Sequence, residues 1–419
     1  MDSSPSVSRR GLFTALGGAV SIGAAGVLGT DSFRPALNLS RRGPSYEWRM
    51  AKSSPNRWGY QPESAPQAGL SEQWRGEAGP SNIVQSGISV SGGRVFTVGR
   101  YSISAFDNQQ GTVEWRNRQP DQFSGSLSDE PEFEFIQSGP TVSGDRVFSV
   151  SSVTLYERNV ATGKTGWAFR TTSSFDHVLP VGNVVFSGIS IDGENQLVAL
   201  DQSTGLRQWA QPVNEVPLAF GWAADPGSET TLLVTGRWGG SATDELVARD
   251  PTDGSFLWRT TDLSPEFIDL LLPAVGRGRV YAGGNGVTAF DVTDGSVVWR
   301  VDTSTLSPSG APVTNGDRVY ITGPNTAISI DASSGEELWS TTVEGISRLV
   351  SPVVTNDMLY LAAGSTVVAL DATDGTEQFR KAVSDRRELI HDLASAEGYL
   401  YVRIGHSIRA FTDVSEGET

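Results

Sequence analysis

The 419-residue chain contains no cysteine, which excludes disulfides, thiolate catalysis, lipidation at Cys and cysteine-based zinc or iron–sulfur sites. Lysine is nearly missing as well. Lys52, Lys164 and Lys381 are the only three, and arginine supplies the rest of the 32 basic residues. Against 48 acidic residues this leaves a net charge of −16 and a pI near 4.7. A surface of that sign repels phosphate, so nucleic acid and anionic membranes are not expected as partners. Carboxylates stay hydrated where salt has shortened the Debye length to ~3 Å at 1 M, and an acidic, lysine-poor surface points to a halophilic, archaeal type of protein. Histidine is scarce too, with only His177, His391 and His406.

What the chain has in quantity is a repeat. The pattern is Asp or Asn, three residues, Gly, three residues, Trp. It occurs at Asp107/Gly111/Trp115, Asn159/Gly163/Trp167, Asp201/Gly205/Trp209, Asp250/Gly254/Trp258, Asp291/Gly295/Trp299 and Asp331/Gly335/Trp339. A seventh copy, Asp371/Gly375/Phe379, carries a phenyl ring in place of the indole. From Asp250 onward the spacings are 41, 40 and 40 residues, a period that belongs to propellers and solenoids.

Each copy reads as four short strands. Alternating stretches such as Arg279-Val-Tyr-Ala and Val287-Thr-Ala-Phe predict a hairpin with one buried face per strand. The Asp side chain accepts from main-chain N–H groups two residues on, and Gly supplies φ > 0 where the chain reverses. The strand that follows carries a Trp, best buried with its N–H satisfied. A strand before the hairpin, such as Ala311-Pro-Val-Thr, completes a blade. Hairpins centre near Val95, Val147, Val185, Leu233, Val280, Val319, Leu359 and Tyr401. The aromatic strands are those of Trp74, Trp115, Trp167, Trp209, Trp258, Trp299, Trp339 and Phe379, the residues expected to dock blade on blade. The two series are offset, because Trp74 precedes the first hairpin. The expectation is an all-β, eight-bladed propeller of four-stranded antiparallel blades, closed by the N-terminal strand containing Trp74.

The stretch from Glu47, with Trp48, Asn56, Gly59 and Tyr60, closing at Trp74, resembles the opening of PQQ-like, quinone-enzyme-type β-propellers. The family signature A-x-D-x-x-T-G-x-x-x-W is met at Ala199/Asp201/Thr204/Gly205/Trp209. It is looser at Ala248, Ala289 and Ala369, where Asp253, Asp294 and Asp374 replace Thr, and it fails at the second copy, where Glu157 and Asn159 replace Ala and Asp. That second blade is expected to dock less tightly. The resemblance implies a closed toroid and, in the family's dehydrogenases, an axial quinone capped by a vicinal disulfide, stacked on Trp and chelating Ca²⁺ beside a catalytic Asp. Without cysteine the cap is missing, and no matching Asn–Asp calcium pair is found. No cofactor and no metal are therefore expected, because a fold does not carry its chemistry with it.

Ser8-Arg9-Arg10-Gly-Leu-Phe, followed by a 14-residue apolar run from Ala15 to Leu28, resembles a twin-arginine export signal. The run falls short of the about 20 residues that a spanning helix needs. The expected divisions are 1–29 signal segment, 30–68 linker and extended lead-in (family-like from 47), 69–412 propeller and 413–419 acidic tail. Asn38-Leu-Ser40 is a glycosylation sequon. With no clear cleavage site, the signal segment can also serve as a membrane anchor.

Catalytic residues are not expected: no nucleophile elbow, Ser–His–Asp set or paired carboxylates can be assigned. The Asp-x-x-Asp-Gly turns at Asp250, Asp291 and Asp371 place carboxylates at short spacing, but turn geometry accounts for them. Candidates for a polar ring around a central funnel are Gln85, Gln137, Asp176, His177, Asp269, Arg348, His391 and Asp392. The function expected is an exported, monomeric, non-enzymatic binding scaffold for proteins, similar in kind to the propeller subunit of the bacterial outer-membrane assembly machine. The alternatives are a quinone-dependent dehydrogenase and a small-ligand or glycan sensor using the funnel.

Overall fold

In the computed structural model of the protein, each Asp-x-x-x-Gly pattern is the tight connection between the third and fourth strands of a four-stranded antiparallel sheet. The structure describes residues 60–414 except 63–64, 80–86, 100–101, 119–138, 152, 172–174, 192–193, 214–218, 225–230, 238–244, 262, 264–272, 285, 303–310, 348–349 and 385–387. The signal segment and most of the linker thus lie outside the described residues.

The local reason for the turn is the same seven times. The main-chain N–H of the Asp (Asn159 in the second copy) donates to the carbonyl five residues on, and the Gly N–H donates back to the Asp carbonyl, all at 2.7–2.9 Å. The glycine sits at φ 67–79° in every copy, where a side chain is strained. A Cβ on Gly375 would also stand 2.6 Å from the Trp339 ring.

Seven sheets are uninterrupted stretches of chain: blade 1 over 88–118, blade 2 over 141–170, blade 3 over 175–212, blade 4 over 219–260, blade 5 over 274–302, blade 6 over 313–342 and blade 7 over 353–382. An eighth four-stranded sheet is built from both ends. Its outermost strand, Ser71–Glu77, pairs antiparallel with Ser407–Thr412, followed inward by Tyr399–Ile404 and Ile390–Ala396. The innermost strands of successive sheets touch in turn, and Ile390–Ala396 meets Ile88–Ser91 to complete the circle.

The expectation of eight blades is corrected accordingly to seven. Seven contiguous blades carry the Asp-x-x-x-Gly turn, and the sheet that closes the ring is a hybrid lacking it, because its third and fourth strands come from opposite chain ends. Closure by the strand containing Trp74 holds.

Burial follows from the stacking of sheets. Second and third strands such as Arg94–Val98 and Ser102–Asp107 are buried on both faces, since each sheet is covered on two sides. Outer strands such as Val113–Arg118 and Val297–Asp302 expose all but the Trp and its second neighbour. Each indole then reaches the following sheet. Trp115, Trp167, Trp209, Trp258, Trp299 and Trp339 donate to the carbonyls of Val160, Gln202, Pro251, Val292, Ala332 and Ala372, the residue after the turn Asp or Asn, at 2.9–3.2 Å. Trp74 does the same to Asn108 of blade 1 at 2.8 Å. All seven are at most 9% exposed. Blade 2 does not dock less tightly: Trp167 is 5% exposed, and Glu157, where the signature fails, is buried against Arg146 at 2.8 Å. Burial raises the Glu157 carboxyl pKa, with the Arg146 charge and hydrogen bond opposing.

Candidate functional site at the ring seam

The seam where the chain ends meet gathers several described polar groups that the repeat does not use. Two of the funnel candidates, His391 and Asp392, lie on the innermost strand Ile390–Ala396 of the closing sheet. A register irregularity between Ile390 and Asp392 re-aims this part of the strand. The Asp392 carboxylate accepts the N–H of Ile88, on the innermost strand of blade 1, at 2.7 Å. The residue is half-buried, but its carboxylate lies deep. Burial pushes its pKa up to about 7, against the lowering effect of the Ile88 and Leu393 N–H groups. His391 is held below its ordinary pKa by burial first, then by the charges of Arg403 and His406.

Arg403 stands opposite Asp392 in the sheet register and is fully buried. Its Nη2 donates to the Gly79 carbonyl at 2.8 Å, while Nε and Nη1 have no partner in the structure. Burial lowers its pKa to about 10. Two unspent guanidinium N–H positions beside a histidine form a donor set suited to an anionic or carbonyl oxygen.

Beside the seam the lead-in runs from the inner edge of blade 7 to the closing sheet. Tyr60 forms a parallel bridge with Val354, and the Gln61 N–H donates to the Val354 carbonyl at 2.9 Å. Val353–Val354 is the innermost strand of blade 7, so this segment lies along its axial edge. Tyr60 also donates to Asn356, and the Tyr360 hydroxyl donates to the Pro66 carbonyl at 2.7 Å. The Asp413 carboxylate then accepts the N–H groups of Gln67 and Ala68 at 2.7–3.0 Å. Burial raises the Tyr60 pKa, and the charges of Asp317 and Asp357 add to it.

Of the remaining funnel candidates, Asp176 and His177 fall on the innermost strand Phe175–Val181 of blade 3, with side chains outside the description. Gln85, Gln137, Asp269 and Arg348 lie outside the described residues. The structure therefore brings together His391 and Asp392 and leaves the wider ring untested. Arg403 was missed by sequence reasoning. Its one signal is a charged residue in the otherwise apolar strand Tyr399–Ile404.

The fold defines the class: a β-propeller of PQQ-like repeats. The family described as "Outer membrane protein assembly factor BamB" matches residues 65–215, 101–261, 193–321 and 283–402. The chain belongs to this family. Among solved structures it is similar to BamB from Moraxella catarrhalis, with a TM-score of 0.62 and 16% identity over 82% of this chain and 100% of that one. It is similar as well to a quinohemoprotein alcohol dehydrogenase from Comamonas testosteroni (TM-score 0.67, 12% identity, 90% of this chain and 82% of that one). A europium-containing methanol dehydrogenase gives a TM-score of 0.64 at 12% identity over 85% and 89% of the two chains. At these identities the likeness is one of fold. A search of curated proteins gives no match.

The dehydrogenases among these neighbours raise the question of a quinone. Such a group needs an aromatic floor, a polarising cation and a base. The seven repeat indoles spend their N–H groups on the adjacent sheet and press their rings on turn glycines such as Gly205 and Gly335. Among the described residues no cluster of three or more His, Asp or Glu is placed to hold a metal. The repeat indoles are therefore committed to packing between sheets and do not fit as the floor for such a group.

Proposed function

We propose that the protein is an exported, non-enzymatic propeller that holds a protein partner against its outer rim. The observation that supports this reading is apolar exposure on the outer strands of three successive blades. Phe256 and Leu257 of blade 4, Val297 and Val298 of blade 5 and Leu338 of blade 6 are 38–49% exposed. All five stand one or two residues before the docking Trp of their strand. Exposed apolar side chains on edge strands with unpaired main-chain groups are where an extended segment of another protein docks. Family membership supports the same reading, since the family is described by an assembly factor. Placement outside the cytoplasm rests on the Arg9–Arg10 signal resemblance.

The test replaces Leu257 and Val298 by Arg together and measures complex formation in the native host, by crosslinking from a photoreactive side chain at Val297. Retained crosslinking to the same partner in the double variant, with the fold intact, overturns the rim assignment.

A small-ligand sensor is the second reading, favoured by the two unspent N–H positions of Arg403. Binding of a carboxylate or sugar that survives Arg403→Lys would remove its support.

A further inference from the structure

Arg403 occupies a position that the repeat keeps uncharged. It lies two residues beyond Tyr401, whose ring packs against Trp74. Val98, Val150, Gly188, Thr322 and Ala362 hold that place in blades 1, 2, 3, 6 and 7, each two residues beyond the ring that meets the docking aromatic of its own blade. Residues two apart on a strand share a face, so Arg403 points with Tyr401 into the interface with blade 1, where Trp74 docks. Arg158, Arg403 and Arg409 are the buried arginines among the described residues. Arg158 donates to Ser149 at 2.8 Å and lies over the Tyr156 ring at 4.5 Å, and Arg409 meets the Glu72 carboxylate at 3.5 Å. Arg403 has only the Gly79 carbonyl, on Nη2. The N–H of Nε and those of Nη1 are without a partner, in a residue 0% exposed. Among the described residues no carboxylate pairs with it. Asp392, opposite in register, is spent on the Ile88 N–H, and Glu77 acts on the guanidinium through its charge without an ion pair. His391 and His406 bring potential charge of the same sign into this field.

We propose that the seam binds one small inorganic anion, of the size of chloride, on the unspent guanidinium N–H groups of Arg403, as the counter-ion that ties the closing sheet to blade 1. The proposal rests on the reading of Arg403 as a ligand group and narrows its ligand; it is independent of the rim. Two requirements select the occupant. A buried charge needs a compensating charge as well as hydrogen-bond acceptors. Water accepts an N–H and leaves the guanidinium uncompensated, whereas an anion meets both needs. Complete burial then sets the size, because the occupant is enclosed together with the guanidinium, which favours a halide over a sugar or an organic acid.

The test follows thermal unfolding of the full-length protein while chloride replaces gluconate, an anion too large to be enclosed, at constant ionic strength. The net charge of −16 repels anions from the surface, so a saturable rise in melting temperature reports the buried site. That rise is expected in the parent and should be lost in Arg403→Met. In gluconate the variant should equal or exceed the parent, because it removes an unpaired buried charge. An equal chloride response in both proteins overturns the proposal. A flat response in the parent, to chloride and to acetate alike, also overturns it and removes the ligand reading of Arg403. A response to acetate with none to chloride overturns the halide assignment and leaves that reading standing. Independently of the variant's folding, bromide-soaked crystals of the parent should show an anomalous peak within hydrogen-bond reach of the Arg403 guanidinium. Absence of that peak at saturating bromide overturns the proposal.

Discussion

The indole N–H of Trp74 donates to the main-chain carbonyl of Asn108, 2.8 Å away, joining residues 34 positions apart and locking the closing sheet onto blade 1. It is the same bond that six other tryptophans make between contiguous blades, here made by the strand that precedes them all. Removing residues 1–78 should therefore abolish cooperative folding, because it strips the outermost strand from Ser407–Thr412 and leaves an open edge. Circular dichroism melting and size-exclusion chromatography check this. A monomer with an unaltered melting curve would contradict it.

Each indole contributes both ring burial and a bond. Trp299→Ala should cost roughly 3–5 kcal/mol, as for other buried large-to-small changes. Trp299→Phe should cost less but at least about 1 kcal/mol, because the Ala332 carbonyl loses its donor. Urea midpoints of the two variants give the comparison.

Much of this was legible in the sequence, and the reason is physical. The left-handed glycine and the buried indole are each demands that few residues satisfy, so Gly295 and Trp299 recur at fixed spacing and announce the turn and the dock. The strand pairing of Trp74 was legible from the offset between hairpins and aromatic strands. The blade number was not, because a count of hairpins also takes in the sheet made from the two chain ends, which is no copy of the repeat. The seam's polar groups were half legible. His391 stood out as one of three histidines and drew in Asp392 beside it, whereas Arg403 is one arginine among many until burial distinguishes it.

The Asp392 carboxyl makes stability depend on pH. Its folded pKa of about 7 lies above the ordinary 3.8, so the folded state binds more protons than the unfolded one between those values. Stability from this group is fully present below about pH 4 and declines as pH rises toward 7 and beyond. Since one pK unit corresponds to about 1.4 kcal/mol, the effect is expected on the scale of kilocalories. Asp392→Asn keeps an acceptor for the Ile88 N–H and should flatten this slope, raising stability at pH 8. Urea denaturation at pH 5 and pH 8 tests it, and an unchanged slope would contradict the assignment.

The lead-in is held by one side chain at its outer end. Asp413→Ala removes the acceptor for the Gln67 and Ala68 N–H groups and should cost about 1–3 kcal/mol, since hydrogen bonds to charged groups are the stronger kind. Hydrogen exchange at both amides should accelerate. Unchanged exchange at the two positions would contradict the contact.

Export is carried by the guanidinium pair if the signal resemblance holds. Arg9→Lys with Arg10→Lys preserves charge but not the planar donor fork, and fractionation of the native host should find the product retained in the cytoplasm. Unaltered export contradicts the twin-arginine reading.

The rim measurement tests the functional account most directly: photocrosslinking from Val297 in the native host, compared between the parent and the Leu257→Arg/Val298→Arg variant. The account expects one discrete protein adduct in the parent and its loss, at least tenfold, in the variant, with thermal stability unchanged. An adduct of equal yield in both, or saturable quinone binding with dye-linked alcohol oxidation by the purified protein, would contradict it.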